Sequence, residues 1–313
     1  MTGKRMTDAA SISHSCPKVP DSVVELDTLP QYGVTQRIDG DGYTYTAFFS
    51  NRNDRIRVTD YQVFDHEGII QSLKHHARQH QHGKIFLKAH AKDAADFKCA
   101  GLDEEARIAG YFNGDDAVVL SLFTDDRRAI PRPPVPEREK IVASARHGFQ
   151  TPARPRPLPG DFRCRLATPE DAPALARVFA NNFESYPFPV FDATYVQHTM
   201  ANDVLYMLIS RHSEIAAVAS AEMVPALSNA EMTDFATMPR YRGNGLGAFL
   251  LRALEIEMKK RRIQSLYTLS RASSISINRI FGKAGYRYTG TLVQNCHISG
   301  HFEDMNCWCK SLQ

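Results

Sequence analysis

Residues 230–262 read AEMTDFATMPRYRGNGLGAFLLRALEIEMKKRR, and this stretch decides how the second half of the chain folds. Residues 230–237 have the composition of a β-strand, which ends before Pro239 because proline has no N–H to donate to a neighbouring strand. A glycine-rich turn follows, with the sequence Arg242-Gly243-Asn244-Gly245-Leu246-Gly247. The next residues predict a helix whose apolar side is formed by Leu250, Leu251, Leu254 and Met258. Lysines and arginines close the helix, where the helix dipole favours cations.

A glycine-rich turn between a strand and a helix is suited to binding phosphate. Glycine lets the backbone adopt a positive φ and approach a ligand closely, and the free N–H groups of the first helical turn point at an anion. The agreement of strand, proline, glycines and helix favours phosphate binding over a surface turn that merely needs glycine. The turn is not a P-loop, because the lysine of G-x-x-x-x-G-K-[ST] is missing, and its glycine spacing is not that of G-x-G-x-x-G.

The spacing R-x-x-G-x-G after a strand and a proline resembles the acetyl-CoA signature of the GNAT N-acetyltransferases, and the resemblance covers roughly residues 162–310. It implies the GNAT acyl-CoA N-acyltransferase fold with acetyl-CoA as the cosubstrate. In that family the amides of the turn hold the CoA pyrophosphate, and the preceding strand pairs with the pantetheine arm. The cofactor-binding residues that the resemblance implies are Phe235, Ala236, Thr237, Arg242, Gly243, Asn244, Gly245, Leu246, Gly247 and Ala248.

The composition is that of a soluble globular protein, and 313 residues are enough for two domains. The net charge of +3 is too small to argue for a nucleic-acid partner. The six cysteines include no C-x-x-C pair, so we predict reduced thiols and no metal site. There is no apolar run of membrane-spanning length and no hydrophobic signal core at the N-terminus. We therefore expect a cytoplasmic protein that binds neither nucleic acid nor membrane.

The sequence divides into four parts. We predict a flexible tail over residues 1–20, an N-terminal α/β domain over 21–130, a stiff linker rich in Pro and Arg over 131–160, and a GNAT domain over 161–313. Within the linker, residues 137–146 predict a short helix. The predicted element order of the last part, β-α-α-β-β-β-α-β-α-β-β, is also that of the GNAT fold. The fold class is α/β (α+β), with a mixed sheet flanked by helices.

The N-terminal domain is predicted to be a degenerate half of the same fold. Its expected elements are strands at 22–26, 43–49, 55–58 and 84–89, helices at 68–81 and 93–100, and a hairpin over 109–121. The strand–helix–Gly–strand order from residue 84 onward repeats that of residues 265–292. No R-x-x-G-x-G precedes it, so this half is not expected to bind CoA. We expect it to pack against the catalytic domain and help wall the amine pocket; chance similarity of so short a unit is the alternative.

Amide formation from a thioester needs a neutral amine, a stabilised oxyanion and a leaving thiolate. The candidate bases are Glu231 and Asp234. They face opposite sides of a regular strand, and a bulge between them would bring both to the cleft. The candidate oxyanion donor is the backbone N–H of Phe235 or Ala236.

The sequence departs from the GNAT pattern at the general acid. The run 281–286 reads FGKAGY, so Phe281 stands where the family's Y-x-K-x-G-[FY] carries a tyrosine. Phenylalanine has no proton to give to a thiolate. Tyr267 is the candidate substitute, and the alternative is that the thiolate leaves unassisted, since a thiol with a pKa of about 8.5 needs little help near neutral pH.

Four further segments, at residues 230–237, 268–272, 285–292 and 295–310, look like those of the β-lysine N6-acetyltransferases. That resemblance implies a small diamine substrate, (3S)-3,6-diaminohexanoate, acetylated on its 6-amino group. The product would be the compatible solute Nε-acetyl-β-lysine. A lysine 2,3-aminomutase, which makes β-lysine, would be the functional partner. The oligomeric state stays open between a monomer and a homodimer.

A substrate of this kind needs an Arg, Lys or amide donor for its carboxylate and a carboxylate for its 3-ammonium group. The candidate ligands in the resembling segments are Arg271, Asn278, Asn295, Glu303 and Asn306. Each is also explicable as an ordinary surface or turn residue. Two alternatives to the β-lysine interpretation remain open: a GNAT enzyme for another amine, such as a polyamine or a protein lysine, and a CoA-binding regulatory domain that has lost turnover.

Overall fold

A computed structural model of the chain describes residues 31–146 and 157–312. The predicted tail, the predicted strand at 22–26 and part of the predicted linker lie outside the described residues. The N-terminal region contains six strands, two helices and a helix that follows them. These elements are β1 Val34–Gly40, β2 Tyr43–Ser50, β3 Arg55–Val63, α1 His66–His80, β4 Lys84–His90, α2 Ala94–Cys99, β5 Asp103–Phe112, β6 Asp115–Phe123 and α3 Val135–Arg146.

The C-terminal region contains seven strands and four helices. They are β7 Phe162–Leu166, α4 Ala172–Asn182, α5 Ala193–Ala201, β8 Val204–Arg211, β9 Glu214–Val224, β10 Asn229–Thr237, α6 Leu246–Lys260, β11 Ser265–Arg271, α7 Ile275–Lys283, β12 Arg287–Ile298 and β13 His301–Ser311. This order confirms the predicted β-α-α-β-β-β-α-β-α-β-β sequence. None of the helices in the described ranges is long and apolar enough to cross a bilayer.

The two regions repeat one topology. The C-terminal sheet has the order β7-β8-β9-β10-β11-β13-β12, and the N-terminal sheet has the order β1-β2-β3-β4-β6-β5. Each sheet contains one parallel pair, β10 with β11 and β3 with β4, and a helix joins the two strands of each pair. Within the described residues the N-terminal region thus matches β8 to β13 and lacks counterparts of β7, α4 and α5. The predicted strand–helix–hairpin over residues 84–123 is confirmed, and the repeat extends over more than half of the fold.

The β5–β6 hairpin packs directly on the C-terminal sheet. One apolar cluster contains Ile108 and Tyr111 from β5 together with Tyr267, Leu292 and Cys307 from the C-terminal strands. β5 runs so close to β12 that a Cβ on Gly290 would lie 2.0 Å from the carbonyl oxygen of Glu105. The domains therefore share a core, and neither sheet stands apart from the other.

Three N-terminal cations bind the backbone of a bulge in β12. The register of β12 against β13 shifts between Leu292 and Cys296, which leaves carbonyl groups of residues 293–295 out of the ladder. Lys84 donates to the carbonyl of Val293 at 2.7 Å, Arg128 donates to that of Gln294 at 2.8 Å, and Arg55 donates to that of Asn295. These buried hydrogen bonds compensate the carbonyls that the bulge removes from the sheet.

The helix predicted at 137–146 is present as α3, and it packs on the catalytic domain. A Cβ on Gly282 of α7 would lie 2.3 Å from the carbonyl oxygen of Ala145, so the two helices approach at a glycine. Arg138 of α3 pairs with the buried Asp304 at 3.1 Å. The residues between the two sheets thus brace α7 as well as connecting the domains.

Candidate active site

The central strand β10 carries a bulge, which begins after Thr233 and not between Glu231 and Asp234 as the sequence predicts. Thr233 pairs with Ser220 of β9 and Ala236 pairs with Val218, so three steps on β10 face two on β9. Asp234 adopts a left-handed conformation with φ 53°, which Asp tolerates better than most residues. A non-glycine residue held there costs free energy and is typical of functional positions. The bulge brings the Asp234 carboxylate into the cleft described next.

A cleft of about 660 Å³ opens where β10 and β11 separate. The two strands pair only over Asn229–Glu231 and Ser265–Tyr267 before they diverge. The lining residues come from the bulge, the glycine turn, β11, α7 and the loop after α4. The lining includes Tyr186, Asp234, Phe235, Thr237, Arg242, Gly243, Gly245, Leu246, Gly247, Ala248, Thr268, Arg271, Ser274, Ser276 and Ile280.

One end of the cleft is formed by the N-terminus of α6. The residue before the helix is Gly245 with φ 73°, so no side chain caps the first turn, and that turn carries no acidic residue. A Cβ on Gly243 or Gly245 would meet no atom within 4 Å, which means that the backbone is open to a ligand here. Uncapped amides and the positive end of the helix dipole make this end suitable for an anionic group such as phosphate.

Arg242 and Asn244 brace the turn. The Arg242 guanidinium donates to the carbonyl of Thr237 at 3.2 Å and to Asn182 at the end of α4 at 3.0 Å. The Asn244 amide donates to the carbonyl of Tyr241 at 3.0 Å. Of the predicted cofactor residues, Ala236 is buried in the ladder with β9 and does not line the cleft, whereas Phe235 and Thr237 do.

The other end of the cleft is acidic. Asp234 accepts hydrogen bonds from the Tyr186 hydroxyl at 2.6 Å and from the Ser220 hydroxyl at 2.7 Å. Burial raises the pKa of Asp234 and the charge of Glu231 adds to the rise, while these hydrogen bonds oppose it. Glu231 lies directly opposite Glu222 on the neighbouring strand, and neither carboxylate is among the residues that line the cleft. A carboxylate in the cleft with two more on the adjoining strands suits a cationic ligand that has to lose a proton.

Tyr267 lies behind Glu231 rather than in the cleft lining. Its hydroxyl accepts a hydrogen bond from Lys88 of the N-terminal domain at 2.8 Å, and its register partner on β10 is Glu231. Burial raises the pKa of Tyr267 well above its usual value. Phe281 is fully buried and packs edge-on against Phe235 and Tyr286.

The predicted substrate ligands separate into two groups. Arg271 lines the cleft, and its guanidinium pairs with the buried Glu303 and donates to Ser299 at 3.2 Å. Glu303 also accepts from Ser273 at 2.8 Å and lies 3.1 Å from His301 Nε2. Both oxygens of Glu303 therefore serve to orient neighbouring groups.

The three asparagines lie deeper in the fold. Asn278 accepts from Asn306 and Trp308, each at 2.9 Å, and its amide donates to the carbonyl of Arg271. Asn278 and Asn306 are fully buried, and together they tie α7 to β11 and β13. Asn295 is fully buried in the β12 bulge, where its carbonyl accepts from Arg55.

Sequence reasoning missed three residues at the acidic end. Tyr186 belongs to the Pro-aromatic loop after α4, and nothing local in the sequence links it to Asp234. Ser220 lies across the strand pair at the bulge, so its contact depends on register. Lys88 had a signal in the sequence, since it is a charged residue that interrupts the apolar residues in the middle of β4. In the ranges that the structure describes, no group of three or more His, Cys, Asp or Glu side chains is placed to hold a metal ion.

Several known proteins resemble this chain in sequence or in structure. The model of the Acetyltransferase (GNAT) family matches residues 173–286. The N-acetyltransferase YodP of Bacillus subtilis is 33% identical over 92% of this chain and 100% of its own length. The β-lysine N(6)-acetyltransferase of Methanosarcina mazei is 34% identical over 79% of this chain and 97% of its own length. A solved ribosomal-protein-S18-alanine N-acetyltransferase from Escherichia coli is 20% identical over 49% of this chain and 94% of its own length, with a TM-score of 0.43.

The relatives named in these matches align with both halves of the chain, and the family model falls on the half that contains the bulge, the glycine turn and α6. The chain therefore belongs to the GNAT acetyltransferase family and is an N-acetyltransferase, similar over most of its length to β-lysine N6-acetyltransferases.

Proposed function

We propose that this enzyme transfers the acetyl group of acetyl-CoA to the N6 amine of β-lysine and so forms Nε-acetyl-β-lysine. The observation that carries the proposal is that one cleft has an end suited to an anion and an opposite end suited to a cation. The uncapped N-terminus of α6 suits the CoA pyrophosphate, and the carboxylates around Asp234 suit an ammonium group. The similarity to two β-lysine N6-acetyltransferases supports this choice of amine.

Asp234 and Glu231 together prepare the amine. An alkyl ammonium group has a pKa of about 10.4, so a base has to take its proton before it can attack a thioester. Asp234 lines the cleft, and burial raises its pKa toward the range in which a carboxylate is an effective base. Glu231 remains beside it as a second negative charge that attracts the ammonium group. Asp234 accepts the proton, and the neutral amine nitrogen then bonds to the thioester carbon.

The bulge supplies the donor for the oxyanion. Phe235 follows Asp234 within the bulge and has no partner in the ladder with β9, so we assign its backbone N–H to the developing oxyanion. When the carbon–sulfur bond breaks, the electron pair stays on sulfur as a thiolate. Tyr186 lines the same cleft and holds a phenolic proton, and we assign it as the group that protonates the thiolate; unassisted departure is the alternative.

Arg271 is our candidate for the carboxylate of the substrate. Arg271 lines the cleft and its guanidinium is oriented by Glu303 through two nitrogens, so the third nitrogen can exchange its bond with Ser299 for one to a ligand without loss of the ion pair. Glu303 is also our candidate for the 3-ammonium group. Asn278 and Asn306 hold β11 and α7 in place behind Arg271, and we assign them supporting roles.

The product would be a zwitterion that carries an amide in place of its 6-ammonium group, which is the chemistry expected of a compatible solute. A lysine 2,3-aminomutase would supply β-lysine by moving the α-amino group of L-lysine to the 3-position. We propose that the enzyme acts as a cytoplasmic protein on this small molecule, either as a monomer or as a homodimer.

Gly245→Val is expected to weaken acetyl-CoA binding. The valine would be strained at φ 73°, and its side chain would stand in the open space before α6. We expect the KM for acetyl-CoA to rise at least tenfold, which is about 1.4 kcal/mol, with a smaller change in the KM for the amine. Gly101→Val is the matched control, because Gly101 also has a positive φ of 103° and open space around it but lies far along the chain in the N-terminal domain. Equal acetyl-CoA kinetics in the two folded variants would contradict a phosphate site at the turn.

Transfer is expected to be direct, without an acetylated cysteine. Burial raises the pKa of Cys307 to about 12 and also raises that of Cys309, so neither thiol supplies a ready thiolate. The intact mass of the protein after incubation with acetyl-CoA alone should therefore stay unchanged. A stoichiometric gain of one acetyl group on Cys296, Cys307 or Cys309 would overturn the direct mechanism.

The substrate assignment is tested by release of the CoA thiol over a panel of amines. We expect β-lysine to give the highest kcat/KM, ahead of L-lysine, spermidine and a lysine-containing peptide. A higher kcat/KM for spermidine or the peptide would show that the enzyme is an N-acetyltransferase for that amine and not for β-lysine. If none of these amines caused release of the CoA thiol although acetyl-CoA bound tightly, the result would favour a regulatory CoA-binding protein. The buried Phe281, which stands where the family has its acid, is the feature that suggests this alternative.

A further inference from the structure

Lys88 reaches from the N-terminal sheet to the edge of the acidic site. It lies on β4, and its ammonium group stands 4.7 Å from the ring centre of Tyr111 and 4.6 Å from that of Tyr267. The ammonium donates to the Tyr267 hydroxyl at 2.8 Å and to the Tyr111 hydroxyl at 3.3 Å. Two aromatic faces and two phenolic oxygens thus hold one cation at the domain interface.

The next link is Tyr267. This residue of β11 pairs with Glu231 on β10 in the last matched position before the two strands separate. Its hydroxyl accepts from Lys88, which leaves its own proton free to be donated onward, and its register partner on the adjacent strand is Glu231. Lys88, Tyr267 and Glu231 therefore lie in sequence from the N-terminal domain toward the strand that carries Asp234.

The partners of Lys88 are unusual for a structural lysine. Lys84, which lies earlier on the same strand β4, is fully buried and meets Glu105 at 2.7 Å, as expected of a buried cation. Among the ion pairs of the described residues, none includes Lys88. An apolar residue would also fill the half-buried space between the two aromatic rings. The charge at position 88 therefore needs a reason beyond packing.

We propose that Lys88 is a positioning residue that acts on Glu231 through Tyr267, so that the N-terminal domain forms part of the catalytic apparatus. The proposal rests on the function proposed above, in which Glu231 assists Asp234. A hydrogen bond from a cation polarises the phenol and strengthens the bond that the phenol donates onward. Lys88 thereby holds the Tyr267 hydroxyl, and through it the Glu231 carboxylate, in one orientation.

The first test compares two substitutions at position 88. Lys88→Met keeps the length of the side chain and removes the charge, and we expect it to lower kcat by about tenfold while the KM for acetyl-CoA stays within about twofold. Lys88→Arg keeps a donor and a cation between the two rings, and we expect it to recover most of kcat. Lys92→Met, at an exposed residue just after β4, is the control and should leave both constants unchanged. Equal losses in the Met and Arg variants would indicate packing alone and overturn the proposal.

The second test asks whether Lys88 acts through Glu231. If it does, Lys88→Met introduced into the Glu231→Gln variant should change kcat by less than about twofold, because the group that it positions is already gone. Multiplication of the two single effects would show that Lys88 acts by another route and would contradict the proposal. Wild-type turnover of β-lysine is recorded in the same series. If the substrate assignment is wrong, the wild-type enzyme is inactive on β-lysine; if the positioning role is wrong, the wild type is active but the effects of the two substitutions multiply.

A third measurement does not depend on turnover. The Lys88 ammonium group is half-buried and donates to two hydroxyl groups, so ¹⁵N-labelled protein should show an ammonium signal that exchanges more slowly than those of exposed lysines and that Lys88→Met abolishes. We expect Tyr267→Phe and Glu231→Gln each to shift that signal. If the chemical shift of the Lys88 ammonium signal did not change in the Glu231→Gln variant, the proposed link from Lys88 to Glu231 would be overturned, even if no amine of the panel were a substrate.

Discussion

Asp234→Asn is expected to lower kcat by about 10²- to 10⁴-fold, the range for removal of a general base. The carboxylate lines the cleft at the bulge of β10, and burial raises its pKa. Asparagine tolerates the left-handed conformation at φ 53°, so the backbone of the bulge should persist. The side chain keeps its size and can still bond to Tyr186 and Ser220, whose hydroxyl groups can rotate to donate or accept.

Asp203→Asn is the matched control for this substitution. Asp203 also adopts a positive φ, 61°, but is exposed at the start of β8. We expect it to leave kcat unchanged, and we expect both variants to bind acetyl-CoA like the wild type. An Asp234→Asn enzyme with near-normal kcat would remove Asp234 from the chemistry and leave Glu231 as the base.

Lys84→Met is expected to destabilise the whole chain by about 3–5 kcal/mol, the usual cost of leaving one partner of a buried ion pair alone. Lys84 is fully buried, pairs with Glu105 at 2.7 Å and donates to the carbonyl of Val293 in β12. The loss is a large share of the roughly 5–15 kcal/mol by which a folded domain is stable. Denaturant unfolding followed by far-ultraviolet circular dichroism and by the fluorescence of Trp308 measures it.

The double variant Lys84→Met/Glu105→Gln is the matched test of the cause. A glutamine at position 105 can still accept from the amide of Val293, as Glu105 does at 2.7 Å, and it can donate to the carbonyl that Lys84 leaves. We expect this variant to recover part of the lost stability, because no unpaired charge remains buried. A double variant less stable than Lys84→Met alone would mean that the unpaired carboxylate is not the source of the loss.

The catalytic half of the fold was predictable because its signals are local. The turn at residues 242–247 and the apolar side of α6 lie within one short stretch, and together they identify the strand, the turn and the helix. The sequence predicts a bulge between Glu231 and Asp234 that would bring both carboxylates to the cleft. The register shift lies between Thr233 and Ala236 instead, and Asp234 lines the cleft whereas Glu231 does not.

The acidic end was less predictable because its contacts depend on tertiary register. Tyr186 and Ser220 meet Asp234 from 48 and 14 residues away along the chain. Lys88 lies 179 residues before Tyr267, and only the packing of the β5–β6 hairpin on the C-terminal sheet brings the two domains together there. The full extent of the internal repeat was also missed, because it consists of strand order and connection type, with no repeated glycine turn.

The most direct test of the proposed function is the position of the acetyl group in the product. Purified full-length enzyme, acetyl-CoA and β-lysine are incubated. The product is then examined by tandem mass spectrometry and by NMR of the protons on the carbons next to each nitrogen. We predict one product, acetylated on the 6-amine and formed in equal amount with free CoA. Acetylation of the 3-amine, or release of CoA without an acetylated amine, would contradict the proposed function.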